Sequence, residues 1–166
     1  DVFEASERRN WPAAIRTIRV RAAAGSGGDH RDGSDCFPSR PMLLVAWLSQ
    51  RLGWTRVGVD VAGEVLRIRY RGDRLAEIHL TGNEDPRGRL EEVDCRCADG
   101  NRVALRRTPG GPLTIVVESG GRTHEEALTR RAETENLLLG EEICRRDQDH
   151  VFEAALIESA ELVRAS

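Results

Sequence analysis

The chain is 166 residues long, enough to bury a full hydrophobic core, and a single domain spanning 1–166 is the natural expectation. Its 39% hydrophobic and 32% charged residues describe an ordinary globular protein, and no apolar run approaches the roughly 18–20 residues that cross a bilayer. With 25 basic residues against 28 acidic ones the net charge is −3, which argues against a dedicated nucleic-acid binder.

All the basic residues are arginine, so a phosphate-binding P-loop and Schiff-base chemistry, which both need lysine, are excluded. A GC-rich genome explains that bias without any demand for guanidinium. The N-terminus lacks the basic-then-apolar order of a signal peptide, which makes the cytoplasm the expected compartment. The chain opens on Asp1 and its one methionine is Met42, so a piece of a longer protein is expected.

In chain order, Asn10-Trp11-Pro12 reads as a helix remnant or loop and 15–21 as a strand. A Gly-rich loop is expected over 22–40, where Gly25 to Asp35 is turn-former after turn-former. The block from Pro41 to Trp54 reads as an amphipathic helix: Leu44, Trp47, Leu48 and Leu52 form one apolar stripe, Ser39 caps the start, and Gly53 suits a left-handed exit. Alternating strands follow at 57–61, 65–70, 75–80, 90–97, 102–107 and 113–117. Short turns such as Ala62-Gly63-Glu64 and Arg71-Gly72-Asp73 make them antiparallel neighbours. From Thr123 the pattern becomes helical again, with a helix expected over 134–146 and another after Asp147 or Asp149 that buries Phe152, Ala155, Leu156 and Leu162. The sum is α+β: a largely antiparallel meander of six to seven strands, packed on one side by an early helix and two C-terminal helices.

Alternation also sorts the two faces of the sheet. Leu66, Ile68 and Tyr70 oppose Arg67, Arg69 and Arg71, and Ala76, Ile78 and Leu80 oppose Glu77 and His79. Arg16, Arg19 and Arg21 with Arg67, Arg69, Arg71 and Arg74 then form a basic stripe, attractive to phosphate or to an acidic protein surface. The plainer reading pairs those arginines across strands with Glu64, Asp73, Glu77 or Glu92. A nucleic-acid or anionic-ligand module using this face is the alternative function, although only Tyr70 offers an aromatic stacking surface on these strands.

Little in the sequence nominates catalysis. Cys95 and Cys97 point to the apolar side with Val93 and lack the C-x-x-C turn geometry of a zinc site, so they read as reduced core side chains. His124-Glu125-Glu126 begins like a zinc-protease helix without the second histidine, and His79 beside Glu77 has no nucleophile to serve. Gly25-Ser26-Gly27-Gly28 opens no helix and reads as a linker. No metal and no cofactor is implied.

The 41–54 block, read with the tail from Leu137-Leu138-Leu139-Gly140-Glu141-Glu142-Ile143-Cys144 to Leu156, resembles the OpcA family of glucose-6-phosphate dehydrogenase assembly proteins. The likeness runs from about Ile18 to Leu156, and its motifs are structural rather than chemical. It implies the C-terminal part of a longer, non-enzymatic protein that binds glucose-6-phosphate dehydrogenase and favours its active oligomer. Trp54, for which a core position is the equal alternative, and Arg67, Arg69 and Arg71 become the contact candidates. Because some members are linked to thioredoxin-dependent control, thioredoxin is a candidate partner and Cys36, Cys95, Cys97 and Cys144 are redox candidates. Of these, Cys36 beside Arg31 and Arg40 is the most reactive in prospect.

Overall fold

Alternating apolar and charged residues build the strands of the computed structural model, which describes residues 11–24, 37–84, 89–108, 112–128 and 150–165. One turn of helix, α1 (Trp11–Ala14), leads into β1 (Ile15–Ala24), and α2 (Ser39–Arg51) precedes β2 (Arg56–Ala62), β3 (Val65–Tyr70) and β4 (Arg74–Glu84). Next come β5 (Leu90–Cys97), β6 (Arg102–Arg107), β7 (Leu113–Ser119) and β8 (Arg122–Leu128), and α3 (His150–Ala165) follows as the last described element. The architecture is α+β, with one sheet in the order β2-β3-β4-β1-β5-β6-β7-β8.

The expected antiparallel meander is interrupted at one place. β1 inserts between β4 and β5, parallel to β4 and antiparallel to β5. Covered on both edges, it supplies the centre of the core: Ile18, Val20, Ala22 and Ala23 are fully buried. Parallel pairing needs a long crossover, and the chain from β1 through α2, β2 and β3 to β4 provides it. Every other neighbouring pair is an antiparallel ladder.

The eighth strand overturns the helical reading after Thr123. Arg122–Leu128 pairs along β7 from Ser119↔Arg122 to Leu113↔Leu128, joined by Gly120 and Gly121. Both glycines have positive φ, 56° and 73°, the conformation that a two-residue hairpin turn demands. Glu125, Glu126 and Ala127 favour helix in isolation, but a tight hairpin beside an existing strand outweighs that weak bias.

Both ends of the loop expected over 22–40 lie in regular elements, and residues 25–36 are outside the described residues. Residues 22–24 continue β1, while Ser39 and Arg40 already belong to α2. The helix begins after Pro38, with no side-chain cap, so Ser39 sits inside the first turn and does not cap it. Its end follows the expectation: Gly53 has φ +63°, its N–H donates to the Gln50 carbonyl at 3.1 Å and the Trp54 N–H to the Ser49 carbonyl at 2.8 Å. That pair of bonds is a Schellman ending, which satisfies carbonyls the helix leaves open.

On the helix side of the sheet, Met42 and Val45 of α2 and Leu162 of α3 join Ile18, Leu66, Ile68 and Ile78 in one hydrophobic cluster. In α2 the most buried positions are Pro41, Met42, Val45, Ala46 and Ser49. Leu44, Trp47, Leu48 and Leu52, the stripe expected to be buried, are only half-buried, and they line a groove of about 560 Å³ with Val93, Val103 and Leu105. α3 buries Ala155 and Leu162 as expected, but Phe152 and Leu156 are 44% and 45% exposed. The buried positions of α3 are instead Ala155, Glu158, Ser159 and Leu162. The helix expected over 134–146 lies outside the described residues.

Glu158 ties α3 to α2. Its Oε2 accepts hydrogen bonds from Gln50 Nε2 at 2.9 Å and Ser49 Oγ at 3.2 Å, while Ser49 Oγ also lies 2.8 Å from the Ala46 carbonyl. One hydroxyl proton cannot serve both acceptors, so Gln50 is the constant donor to the carboxylate. A second tie, between Arg56 of β2 and Glu161 of α3, reaches the sheet edge.

Candidate functional site

The face of the sheet opposite the helices carries polar side chains, and the strand register decides which of them meet. Asp60, Arg67, Glu77, Arg19 and Asp94 follow one another across β2, β3, β4, β1 and β5. The row therefore alternates in charge. Cross-strand neighbours about 5 Å apart interact directly, so alternation is the favourable order.

Glu77 is the hub of one half. Its Oε2 accepts from Arg19 Nη2 at 3.0 Å and Nε at 3.2 Å, its Oε1 accepts from Arg67 Nε at 3.1 Å, and His79 Nε2 lies 3.2 Å from Oε2. Burial opposes ionisation of this carboxyl, but hydrogen bonds from His79, Arg67 and Arg19 outweigh it and hold the group at about 2. The expected His79–Glu77 neighbourhood is thus real, and both arginine neighbours saturate it as an ion cluster.

Asp94 is the hub of the other half, a role that no local motif in the sequence marks. Its Oδ2 accepts from Arg102 Nε at 2.8 Å and its Oδ1 from Arg96 Nε at 3.4 Å. Arg102 also donates to Glu118 at 2.8 Å, and Arg106 donates to Glu92 at 2.9 Å. Asp94 and its neighbours raise the Arg102 guanidinium pKa, so that cation is locked. Between the hubs, Thr17, Arg19, Leu75, Glu77, Asp94 and Arg96 line a shallow depression of about 260 Å³.

Two outer arginines stand outside these clusters. Arg69 forms no ion pair among the described residues, and its guanidinium lies across Gly58, where an added Cβ would stand 3.0 Å from Nη2. Arg71, in the turn after β3, is exposed, and its backbone N–H donates to the Thr55 carbonyl at 2.9 Å. Of the carboxylates expected to neutralise the face, Glu77 and Glu92 do so; Glu64 and Asp73 are exposed at turns.

The seven-arginine stripe read from the sequence is divided by the structure. Arg19, Arg21 and Arg67 are ion-paired on the outer face, whereas Arg74 turns to the helix side, its guanidinium 5.7 Å from the centroid of Trp54. Trp54 itself is 5% exposed and packs against Tyr70, ring centroids 5.2 Å apart, so it belongs to the core and offers no contact surface. Strong burial also raises the pKa of the Tyr70 phenol.

Cys95 and Cys97 face the helix side as expected. Burial, with Asp94 beside it, pushes the Cys95 thiol up to about 12, and burial likewise raises Cys97. Reactive thiols need the opposite shift. Cys36 and Cys144 lie outside the described residues. Among the described residues no three His, Cys, Asp or Glu side chains gather to hold a metal ion, and no helix is long and apolar enough to cross a membrane.

Several solved structures share this fold at low identity. UDP-N-acetylglucosamine 3-dehydrogenase from Acidithiobacillus ferrooxidans superposes with a TM-score of 0.60 at 14% identity, over 96% of this chain and 56% of that one. A variant of a 3-ketoreductase from Actinomadura kijaniata gives 0.58 at 15%, over 98% and 55%. A dehydrogenase from Clostridium difficile gives 0.53 at 10%, over 96% and 56%. The chain spans little more than half the length of these structures, and at such identity they share its fold alone. No curated protein sequence matches it. Over residues 8–156 the sequence matches the family described as the C-terminal domain of a glucose-6-phosphate dehydrogenase subunit, in keeping with the likeness carried by the 41–54 block and the tail, and the chain belongs to that family.

Proposed function

We propose that the protein is a non-catalytic subunit that binds glucose-6-phosphate dehydrogenase and favours its active oligomer. The observation that carries this reading is the family match over residues 8–156. Mechanistically the protein acts by differential affinity: it must bind the active arrangement of the enzyme better than the inactive one, and each tenfold shift in population takes about 1.4 kcal/mol of that difference. The outer face of the sheet is the proposed contact surface, with Arg69 and Arg71 as its free cations and the Glu77 and Asp94 clusters as its ion-paired centre. Cys95 and Cys97 take no part in thiol control under this reading, because their pKa values are raised.

The test is the initial rate of the same organism's glucose-6-phosphate dehydrogenase at sub-saturating glucose 6-phosphate as the protein is added. A saturable rise is expected, with no glucose 6-phosphate turnover by the protein alone. A flat response, or turnover by the protein alone, overturns the proposal. The nucleic-acid alternative loses ground on the outer face, since Arg19, Arg67, Arg102 and Arg106 already hold carboxylates and are not available to phosphates.

A further inference from the structure

Arg16 and Arg74 differ from the ion-paired arginines of the sheet. The parallel register of β1 and β4 pairs Thr17 with Leu75, so the residues just before them, Arg16 and Arg74, sit side by side at the start of the two strands. Adjacent strands lie about 4.8 Å apart, so the two permanently charged side chains start from neighbouring backbone positions. In the Glu77 and Asp94 clusters such crowding of cations is relieved by a carboxylate; here none of the described residues relieves it. Arg16 Nη1 and Arg74 Nε are both enclosed by protein without a hydrogen-bond acceptor, and both side chains keep part of their surface in contact with solvent.

The surroundings favour a bound anion over a missing protein contact. Arg74 is held against the ring of Trp54, which is itself fixed by Tyr70, so its guanidinium is oriented before any ligand arrives. Arg56, opposite Tyr70 at the same end of the sheet, is engaged by Glu161 and does not compete. What remains is a pair of arginines at neighbouring strand positions, Arg74 oriented by Trp54, each with an enclosed donor that has no acceptor. That is the recognition chemistry of an oxyanion, above all a phosphate, which accepts several charge-assisted hydrogen bonds at once.

We propose that Arg16 and Arg74 form a binding site for a small phosphate-bearing anion at the start of β1 and β4, on the helix side of the sheet. The site is separate from the outer face and requires nothing of the dehydrogenase. Its test uses inorganic phosphate as the probe, titrated into the protein by calorimetry, with Trp54 fluorescence read in parallel because Arg74 lies over that ring. Saturable binding is expected at constant ionic strength. Arg16→Gln and Arg74→Gln each weaken it at least about tenfold, the worth of a hydrogen bond to a charged group, while Arg67→Gln on the opposite face binds as the wild type does. Absence of saturable heat in the wild-type protein overturns the proposal without recourse to any variant. So does an equal response to sodium chloride at matched ionic strength, or a loss with Arg67→Gln as large as with folded Arg16→Gln.

Discussion

Glu77 shows how a single carboxylate can make the sheet acid-sensitive. Its side chain is 8% exposed and its carboxyl sits at about 2, against an ordinary value of 4.5. A folded-state pKa that is depressed contributes stability above the unfolded value and loses it as pH falls toward the folded one. The shift corresponds to at most about 3 kcal/mol, less what solvent screening of the half-exposed Arg19 and Arg67 removes; that stability is present above about pH 5 and lost progressively below it. Thermal melts from pH 7 to about 3 check this. The wild type is expected to lose stability steeply below about pH 5, and Glu77→Gln, less stable by about 1–3 kcal/mol at pH 7, to fall along a shallower line. Parallel curves for the two proteins would assign the acid sensitivity elsewhere. That Glu77 faces Arg67 could be read from the 65–70 and 75–80 alternation, since the two strands share a short turn. That Arg19 completes the cluster could not, because nothing local in the sequence says β1 will lie beside β4.

Among the elements, α3 depends most on a few side chains. It reaches the core through Ala155 and Leu162, and it meets α2 through Glu158. Leu162 is fully buried, so Leu162→Ala deletes its apolar surface and leaves a cavity, at a cost of about 2–5 kcal/mol. Urea unfolding is the measurement, and a loss below about 1 kcal/mol would mean that α3 is not seated on the sheet as described. The elements also show where local sequence signals suffice. The α2 ending at Gly53 and the β2–β4 hairpins follow from glycine positions and alternation, which act over a few residues. β8 escapes a local reading because Glu125, Glu126 and Ala127 favour helix, while the hairpin through Gly120 and Gly121 is decided by pairing with β7. The exposure of the Leu44, Trp47, Leu48 and Leu52 stripe is equally illegible: periodicity marks an apolar face but not how much of it the sheet covers.

At the scale of the whole molecule, the helices and the proposed enzyme contact occupy opposite sides of one sheet. The outer face is held by ion clusters whose arginines are engaged by carboxylates. Arg69 and Arg71 are the exception: both are exposed, and neither has an ion-pair partner among the described residues. If the dehydrogenase docks on this face, an acidic patch on the enzyme meets those two cations, and reversing their sign places like charges across the interface. The double variant Arg69→Glu with Arg71→Glu is therefore expected to raise the concentration of protein needed for half-maximal activation by about tenfold or more at low salt. The difference should shrink as ionic strength rises, since partly exposed charges are screened beyond about 8–10 Å at physiological salt. Folding is expected to be nearly unaffected, within about 0.5 kcal/mol, because both side chains are on the surface and outside the clusters. Activation by the unaltered protein with no change in the double variant would keep the dehydrogenase reading and move the contact away from this end of the face. A comparison with Arg106→Glu, which breaks the pair with Glu92 farther along the same face, would then show whether any part of the outer surface is used.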